Sequence, residues 1–180
     1  MSDSSQSVDE IRRTLDRMRQ DYWRQIEQQD DTPQGEARDF VLLRLAQEWF
    51  GVPCEQAREV LRVPRLVAVP GVDDQIAGIV NVRGHIVAVT DLRALCGLAR
   101  AENGRSSRLI LVEAAGVTTV LLVDEVRDIR AIKVDDIEES PRHFGRLPAE
   151  VFFGRVELAE GLVSLIDVDR LLRCPELIVE

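Results

Sequence analysis

Residues 78–92, GIVNVRGHIVAVTDL, place alternating β-branched residues on both sides of a polar turn. This alternation around a turn with Asn and Gly is typical of a β-hairpin. The second strand ends at Asp91, whose carboxylate can cap a short helix that begins at Leu92. The tip presents Arg83, and a planar guanidinium pairs bidentately with carboxylates. The stretch therefore predicts a binding tip rather than a catalytic centre.

The same pattern returns 76 positions later, in residues 154–168 (GRVELAEGLVSLIDV), so that Gly78 aligns with Gly154 and Asp91 with Asp167. Each copy follows two apolar runs, which are 40–45 and 49–52 for the first copy and 109–112 and 117–123 for the second. Chance matching of apolar residues is the alternative explanation. A period this long, present twice, favours two small barrels over a solenoid, which needs at least roughly three repeats.

The composition agrees with barrels filled by branched side chains. Hydrophobic residues make up 45% of the 180-residue chain and aromatic residues only 4%, so Val, Leu and Ile must fill the interior. We predict one domain over 36–175, with barrel subdomains at roughly 40–98 and 108–172 that can exchange strands. Residues 1–35 form a separate segment in this prediction, a helix followed by a linker.

The amino-terminal segment has its own periodicity. Ser7 followed by Glu10 resembles a capping box. An apolar stripe with helical spacing comprises Val8, Ile11, Leu15, Met18, Tyr22 and Ile26. These features predict an amphipathic helix over 8–28 that docks on the protein's own barrels. A short coiled coil and a handle for a partner helix are the alternatives.

Two shorter elements are also predicted between the first apolar runs and the hairpin. Residues 53–61 lose the period-two spacing and are predicted as a short helix or turn. Residues 66–69 are predicted as a strand that Pro70 and Gly71 close. A short carboxy-terminal helix is expected after Asp167.

Charge and thiol content exclude several classes of function. The net charge of −9 argues against nucleic-acid binding, which needs clustered cations. No apolar run is long enough for a signal peptide or a transmembrane helix, so we expect a cytoplasmic protein without direct membrane insertion. Cys54, Cys96 and Cys174 are widely separated and are expected to be reduced. We expect no metal site and no cofactor.

One enzymatic alternative is an aspartate-based hydrolase that uses Asp91 and Asp167, because a duplicated fold can bring two carboxylates together. Neither acid, however, lies in an Asp-Thr-Gly or Asp-Ser-Gly loop. Helix capping explains both acids without catalysis. Only His85 and His143 are available for a histidine-dependent triad. The sequence therefore predicts a protein that is not an enzyme.

The turn at residues 81–84, together with 78–80 and 87–93, resembles the CheW-like chemotaxis coupling family. Members carry a G-hydrophobic-x-N-L-R-G-x-hydrophobic-x-P-hydrophobic-hydrophobic-D-L-R pattern. Val82 and Ala88 stand here where leucine and proline are usual. The resemblance covers roughly residues 38–173.

The resemblance implies two five-stranded SH3-like barrels and a non-catalytic adaptor. Such an adaptor joins the cytoplasmic tip of chemoreceptors to the regulatory domain of a chemotaxis-type histidine kinase. It also implies that Arg83 engages the receptor and that Glu59, in the predicted short helix, lies near Arg83. Candidate receptor-binding or kinase-binding residues are Ala57, Arg58, Glu59, Asn81, Val82, Arg83 and Gly84. Ala57 stands where the family often has a valine that faces the receptor. A CheW-like scaffold of a non-flagellar chemosensory pathway is the alternative.

Overall fold

The computed structural model describes residues 35–99, 101–139 and 143–174, which fold into strands and short helices. The strands are β1 (Ala37–Leu45), β2 (Glu48–Pro53), β3 (Ala57–Arg62), β4 (Ile76–Val82), β5 (His85–Asp91), β6 (Arg108–Ala114), β7 (Val117–Val123), β8 (Glu125–Lys133), β9 (Phe152–Leu158) and β10 (Gly161–Ile166). The helices are α1 (Leu92–Leu95) and α2 (Val168–Leu172), with 3-10 turns at Val134–Asp136 and Ala149–Val151. The helix predicted over 8–28 lies outside the described residues.

The strands form two five-stranded sheets. The first sheet has the order β8-β1-β2-β10-β9, and the second sheet has the order β3-β6-β7-β5-β4. Neighbouring strands are antiparallel except for the pairs β2–β10 and β5–β7, which are parallel. The predicted mainly β fold with two SH3-like barrels and a short carboxy-terminal helix is confirmed.

Each sheet takes one hairpin from the other half of the chain. β1 and β2 join β8, β9 and β10, whereas β6 and β7 join β3, β4 and β5. The continuous ranges 40–98 and 108–172 therefore do not coincide with the two sheets. The chain passes from the first sheet to the second through residues 54–56, and it returns through Asp124 alone. Because of this exchange, strands that correspond to each other in the 76-residue repeat occupy the same position in the two sheets.

The repeat also has a local structural cause. Gly78 and Gly154 have φ of 145° and 155°, which favours glycine. A Cβ atom on Gly78 would lie 2.5 Å from the carbonyl oxygen of Val67, and one on Gly154 would lie 2.4 Å from that of Glu138. Both glycines therefore allow a second backbone segment to approach the first strand of the hairpin in which they lie. The sequence repeat thus encodes the same close approach in each half.

Two predicted elements differ from the structure. The short helix or turn predicted over 53–61 is a turn only at residues 54–56, and the helix is wrong because Ala57–Arg62 forms β3. Burial alternates along β3, and β6 supplies its backbone hydrogen-bonding partners, so pairing overrides the local pattern. The strand predicted over 66–69 is reduced to one isolated bridge between Val67 and Ile79.

Branched side chains fill the interior as expected. One buried cluster in the first sheet includes Phe40 and Val163, and one in the second sheet includes Val89 and Leu109. A larger cluster contains residues of both sheets and of both helices, including Leu92. The two sheets therefore share a hydrophobic core, which favours one cooperative unit over two independent barrels.

Candidate functional site: the tip of the β4–β5 hairpin

The β4–β5 hairpin turns through Arg83 and Gly84, which lie between the last paired residues, Val82 and His85. Arg83 and Gly84 have φ of 53° and 89°. Positive φ at both central residues is what a two-residue type I′ turn requires. The Gly84 N–H donates a hydrogen bond of 2.8 Å to Oδ1 of Asn81. The Asn and Gly of the sequence motif therefore fix the backbone that carries Arg83.

Arg83 is exposed and held in place by one ion pair. Its side chain is 77% exposed, and its Nη2 lies 2.8 Å from Oε2 of Glu59. Glu59 lies on β3, at the opposite edge of the second sheet from β4. The pair therefore joins the two edges of that sheet. The expected proximity of Glu59 to Arg83 is present, although a strand rather than a helix provides it.

The repeated hairpin carries a similar ion pair with its charges reversed. Glu160, in the β9–β10 turn, lies 2.7 Å from Nη2 of Arg130 on β8, the opposite edge of the first sheet. Arg127 lies 3.7 Å from the same carboxylate oxygen. The Glu160 side chain is only 8% exposed, in contrast to Arg83. The charged residue of the β9–β10 turn is therefore buried in contacts within the protein, whereas Arg83 of the β4–β5 turn is exposed to solvent.

The remaining candidate residues divide by exposure. Asn81, Gly84 and Arg58 are exposed, and Arg58 forms a 3.0 Å ion pair with Glu113 of β6. Ala57 is half-buried against the large shared cluster. Val82 is buried in the core of the second sheet, next to the turn.

Sequence reasoning missed two exposed apolar residues near the tip. Ile86 on β5 is 65% exposed, and Val67 is 60% exposed. An open groove of about 490 Å³ lies on one side of Ile86 and a groove of about 310 Å³ on the other. The signal in the sequence was an isoleucine on the face that alternation assigns to solvent.

The two repeated carboxylates cap separate helices. Oδ1 of Asp91 accepts a 3.0 Å hydrogen bond from the Arg93 N–H at the start of α1. Oδ1 of Asp167 accepts a 3.2 Å hydrogen bond from the Arg170 N–H in α2. Asp91 ends a strand of the second sheet, whereas Asp167 follows a strand of the first. Capping therefore accounts for both acids, and the hydrolase alternative loses its motivation.

The thiols and histidines do not form a reactive group in the described ranges. Burial raises the pKa of the Cys96 thiol to about 12, so this thiol stays protonated at neutral pH. Cys54 is a half-buried free thiol, and Cys174 is buried. His85 and His143 are both exposed. Within the described residues, no group of three or more His, Cys, Asp or Glu side chains could hold a metal ion. No helix in that part of the chain is long and apolar enough to cross a membrane.

Known proteins are similar to this chain in sequence and in fold. The chain is 24% identical over 140 residues to "Chemotaxis protein CheW" of Klebsiella aerogenes, covering 78% of this chain and 84% of that protein. It is 32% identical over 96 residues to "Protein PilI" of Pseudomonas aeruginosa, covering 53% and 54%. The crystal structure of the scaffolding protein TtCheW from Thermoanaerobacter tengcongensis matches with a TM-score of 0.69 and 26% identity, covering 79% of this chain and 91% of that chain.

The family match includes both sheets and the hairpin tip. The CheW-like domain family matches residues 39–176, which run from β1 past the end of α2. The chain therefore belongs to the CheW-like domain family.

Proposed function

We propose that this protein is a non-catalytic adaptor that couples the cytoplasmic tips of chemoreceptors to a chemotaxis-type histidine kinase. Family membership and the similarity to a scaffolding protein support this function. The observation that carries the receptor assignment is the exposed Arg83 guanidinium, held by Glu59 on a rigid turn. The partner on the kinase side is its regulatory domain. The protein acts in the cytoplasm, without inserting into the membrane.

A guanidinium fixed in this way suits recognition. The type I′ turn and the ion pair with Glu59 restrict Arg83 before a partner arrives, so less side-chain entropy is lost on binding. Arginine has five N–H donors, and one carboxylate such as that of Glu59, which lies 2.8 Å from Nη2 of Arg83, cannot accept from all of them. Donors therefore remain for a partner carboxylate or carbonyl group. The exposed Asn81 belongs to the same turn, whereas Arg58, next to Glu59 on β3, pairs with Glu113.

A second candidate is the adaptor of a chemosensory pathway whose output is not flagellar. The identity to Protein PilI of Pseudomonas aeruginosa is higher than that to the Klebsiella aerogenes protein, although it covers a shorter stretch. Protein FrzA of Myxococcus xanthus also matches, with 28% identity over 138 residues. The two candidates share the binding chemistry at Arg83 and differ in their partners.

Replacing Arg83 by alanine is expected to weaken receptor binding about thirtyfold, because losing a central arginine contact costs about 2 kcal/mol. The unfolding free energy is expected to change by only about 0–1 kcal/mol, since an exposed ion pair contributes little. A pull-down with a receptor-tip fragment from the source organism measures the first quantity, and a urea titration measures the second.

Arg155→Ala is the matched control for this experiment. Arg155 forms an exposed ion pair with Glu138, at 3.3 Å, in the first sheet. We expect it to bind receptor like the unaltered protein. Equal binding by Arg83→Ala and Arg155→Ala would contradict the receptor-binding role of Arg83.

A further inference from the structure

Two short segments that each carry two arginines meet at one end of the second sheet. They are residues 62–65 (RVPR) and 105–108 (RSSR). β3 ends and β6 begins there, and the strand register places Arg62 directly opposite Arg108. Residues in such facing positions project from the same face of a sheet, with Cβ atoms about 4.5–5.5 Å apart. The fold therefore concentrates positive charge that the sequence keeps in two separate segments. We call Arg62, Arg105 and Arg108 the arginine cluster.

The arginine cluster has no counter-ion within the protein. Among the described residues, no Asp or Glu side chain forms an ion pair with any of its three members. By contrast, Arg58 on the same strand pairs with Glu113 at 3.0 Å. Like charges that face each other across paired strands are destabilising. A chain with 32 acidic residues that nevertheless leaves this arginine pair uncompensated indicates a surface kept positive for a partner.

The guanidinium of Arg108 is held in place by carbonyl groups. Its Nη1 donates to the backbone carbonyls of Arg105 and Ser107, both at 2.8 Å. The turn that carries these carbonyls is closed by two further bonds, because the Ser107 N–H donates to the Gly104 carbonyl and the Gly104 N–H donates to Oγ of Ser107. Carbonyls orient the guanidinium without neutralising its charge. Less side-chain entropy is therefore lost when an anion binds.

The surface beside the arginine cluster limits the kind of anion. Val60 is 43% exposed and lies two residues before Arg62 on β3, so both side chains project from the same face. A nucleic acid needs a longer row of cations, and the net charge of −9 repels such a polyanion. Three arginines next to one exposed valine fit a short acidic peptide segment that also carries an apolar side chain.

We propose that the arginine cluster binds an acidic segment of a partner protein. Two neighbouring carboxylates of that segment pair with Arg62 and Arg108, and an apolar side chain beside them covers Val60. Arginine suits this role because its planar fork donates two parallel hydrogen bonds to one carboxylate. The site lies where β3 meets β6, whereas Arg83 lies in the β4–β5 turn. The proposal therefore does not depend on the receptor-binding function.

Fluorescence anisotropy with the full chain and a labelled Glu-Asp-Leu-Glu-Asp peptide tests the proposal. Arg62→Ala is expected to raise Kd about fivefold, and the double variant with Arg108→Ala about twenty-fivefold, because each pair forms at a partly exposed site. Arg62→Lys keeps the charge and is expected to raise Kd only about twofold. Arg155→Ala is the matched control, because Arg155 pairs with Glu138 in the first sheet. Its Kd is expected to stay within about twofold of the unaltered protein.

Thermal melts of the same variants separate binding from a structural role. Because Arg62 and Arg108 repel each other, Arg62→Ala is expected to raise Tm by about 1–4 °C while it weakens binding. A residue that only supports the fold would lower Tm when it is replaced. If Arg62→Ala lowers Tm, Arg105→Ala supplies the same test in an exposed turn, without altering the strand pair, and is expected to raise Kd about threefold.

Three results would overturn the proposal. The first is a Kd for the acidic peptide that neither Arg62→Ala nor Arg105→Ala changes, or that the uncharged peptide Gln-Asn-Leu-Gln-Asn matches. The second is tighter binding of a single-stranded oligonucleotide than of the acidic peptide, which would assign the site to nucleic acid. The third is self-association of the full chain, seen by sedimentation, that Arg62→Glu abolishes, because the occupant would then be a second copy of this protein.

Discussion

Replacing Asp124 by alanine is expected to lower the unfolding free energy by about 3–5 kcal/mol, because it leaves a buried guanidinium without its counter-ion. The Arg93 side chain is only 7% exposed and forms an ion pair with Oδ1 of Asp124. Oδ2 of Asp124 accepts a 2.6 Å hydrogen bond from the Ala46 N–H. The alanine variant thus removes the partners of two donors at once.

The position of Asp124 explains why the effect should be global. Asp124 is the single residue between β7 of the second sheet and β8 of the first. Arg93 follows the second sheet at the start of α1, and Ala46 lies in the β1–β2 turn of the first sheet. The carboxylate therefore joins both sheets at the point where the chain crosses between them. Loss of this link should lower the stability of the whole domain.

Chemical denaturation of three variants checks this expectation. Glu113→Ala removes an exposed ion pair with Arg58 and should cost only about 0–1 kcal/mol. Asp124→Asn keeps an oxygen that can accept a hydrogen bond from the Ala46 N–H. Its unfolding free energy should therefore fall by an amount between the decreases for Glu113→Ala and Asp124→Ala. Unfolding free energies that are equal for Asp124→Ala and Glu113→Ala would show that the buried pair contributes no more than a surface pair.

Much of the fold follows from local sequence patterns. The hairpin at residues 78–92 and its copy at 154–168 carry their own turn chemistry, strand alternation and helix caps, so each can be recognised without knowledge of the other. Asp91 and Asp167 illustrate this, because an N-cap interacts only with the next few residues. The expectation of helix capping agrees with the structure for both.

The pairing of the hairpins could not be read from the same patterns. An apolar run such as 40–45 indicates a strand, but it does not say which strand lies beside it. The parallel pairs β2–β10 and β5–β7 join strands that are not consecutive in the sequence, and together with the pairs β1–β8 and β3–β6 they produce the exchange between sheets. The prediction of a helix at β3 is wrong for a related reason. The pairing of β3 with β6 outweighs a weak local preference in residues 57–62.

At the candidate site, too, local structure follows from the sequence, whereas long-range contacts do not. The turn that presents Arg83 depends on adjacent residues, and the sequence indicated it. The contact with Glu59 spans the sheet from edge to edge, and only the resemblance to a family suggested it. The grooves beside Ile86 depend on Leu111 from β6 and on Val67, which come close only in the folded chain. Surface shape of this kind arises from tertiary packing.

Replacing Gly78 by alanine is expected to destabilise the domain by about 2–4 kcal/mol, through backbone strain and through a steric clash. A Cβ atom there would lie 2.5 Å from the Val67 carbonyl oxygen and 3.1 Å from its carbon. The clashing atoms belong to the backbone, so a side-chain rotation cannot relieve the contact. The bridge between Val67 and Ile79 would have to open, which would also disturb the smaller groove beside Ile86.

Two other glycines separate the contributions to this effect. Gly116 has φ of 74° with no atom within 4 Å of an added Cβ, so Gly116→Ala measures backbone strain alone. Gly104 has neither a positive φ nor a contact closer than 3.9 Å, so Gly104→Ala should be nearly neutral. Thermal melts should therefore rank the losses in the order Gly104, Gly116 and Gly78. Gly154→Ala should resemble Gly78→Ala, because its Cβ atom would meet the Glu138 carbonyl at 2.4 Å. A Gly78→Ala melt no lower than that of Gly116→Ala would show that the Val67 segment moves aside freely, and that the repeated glycines serve the turn conformation alone.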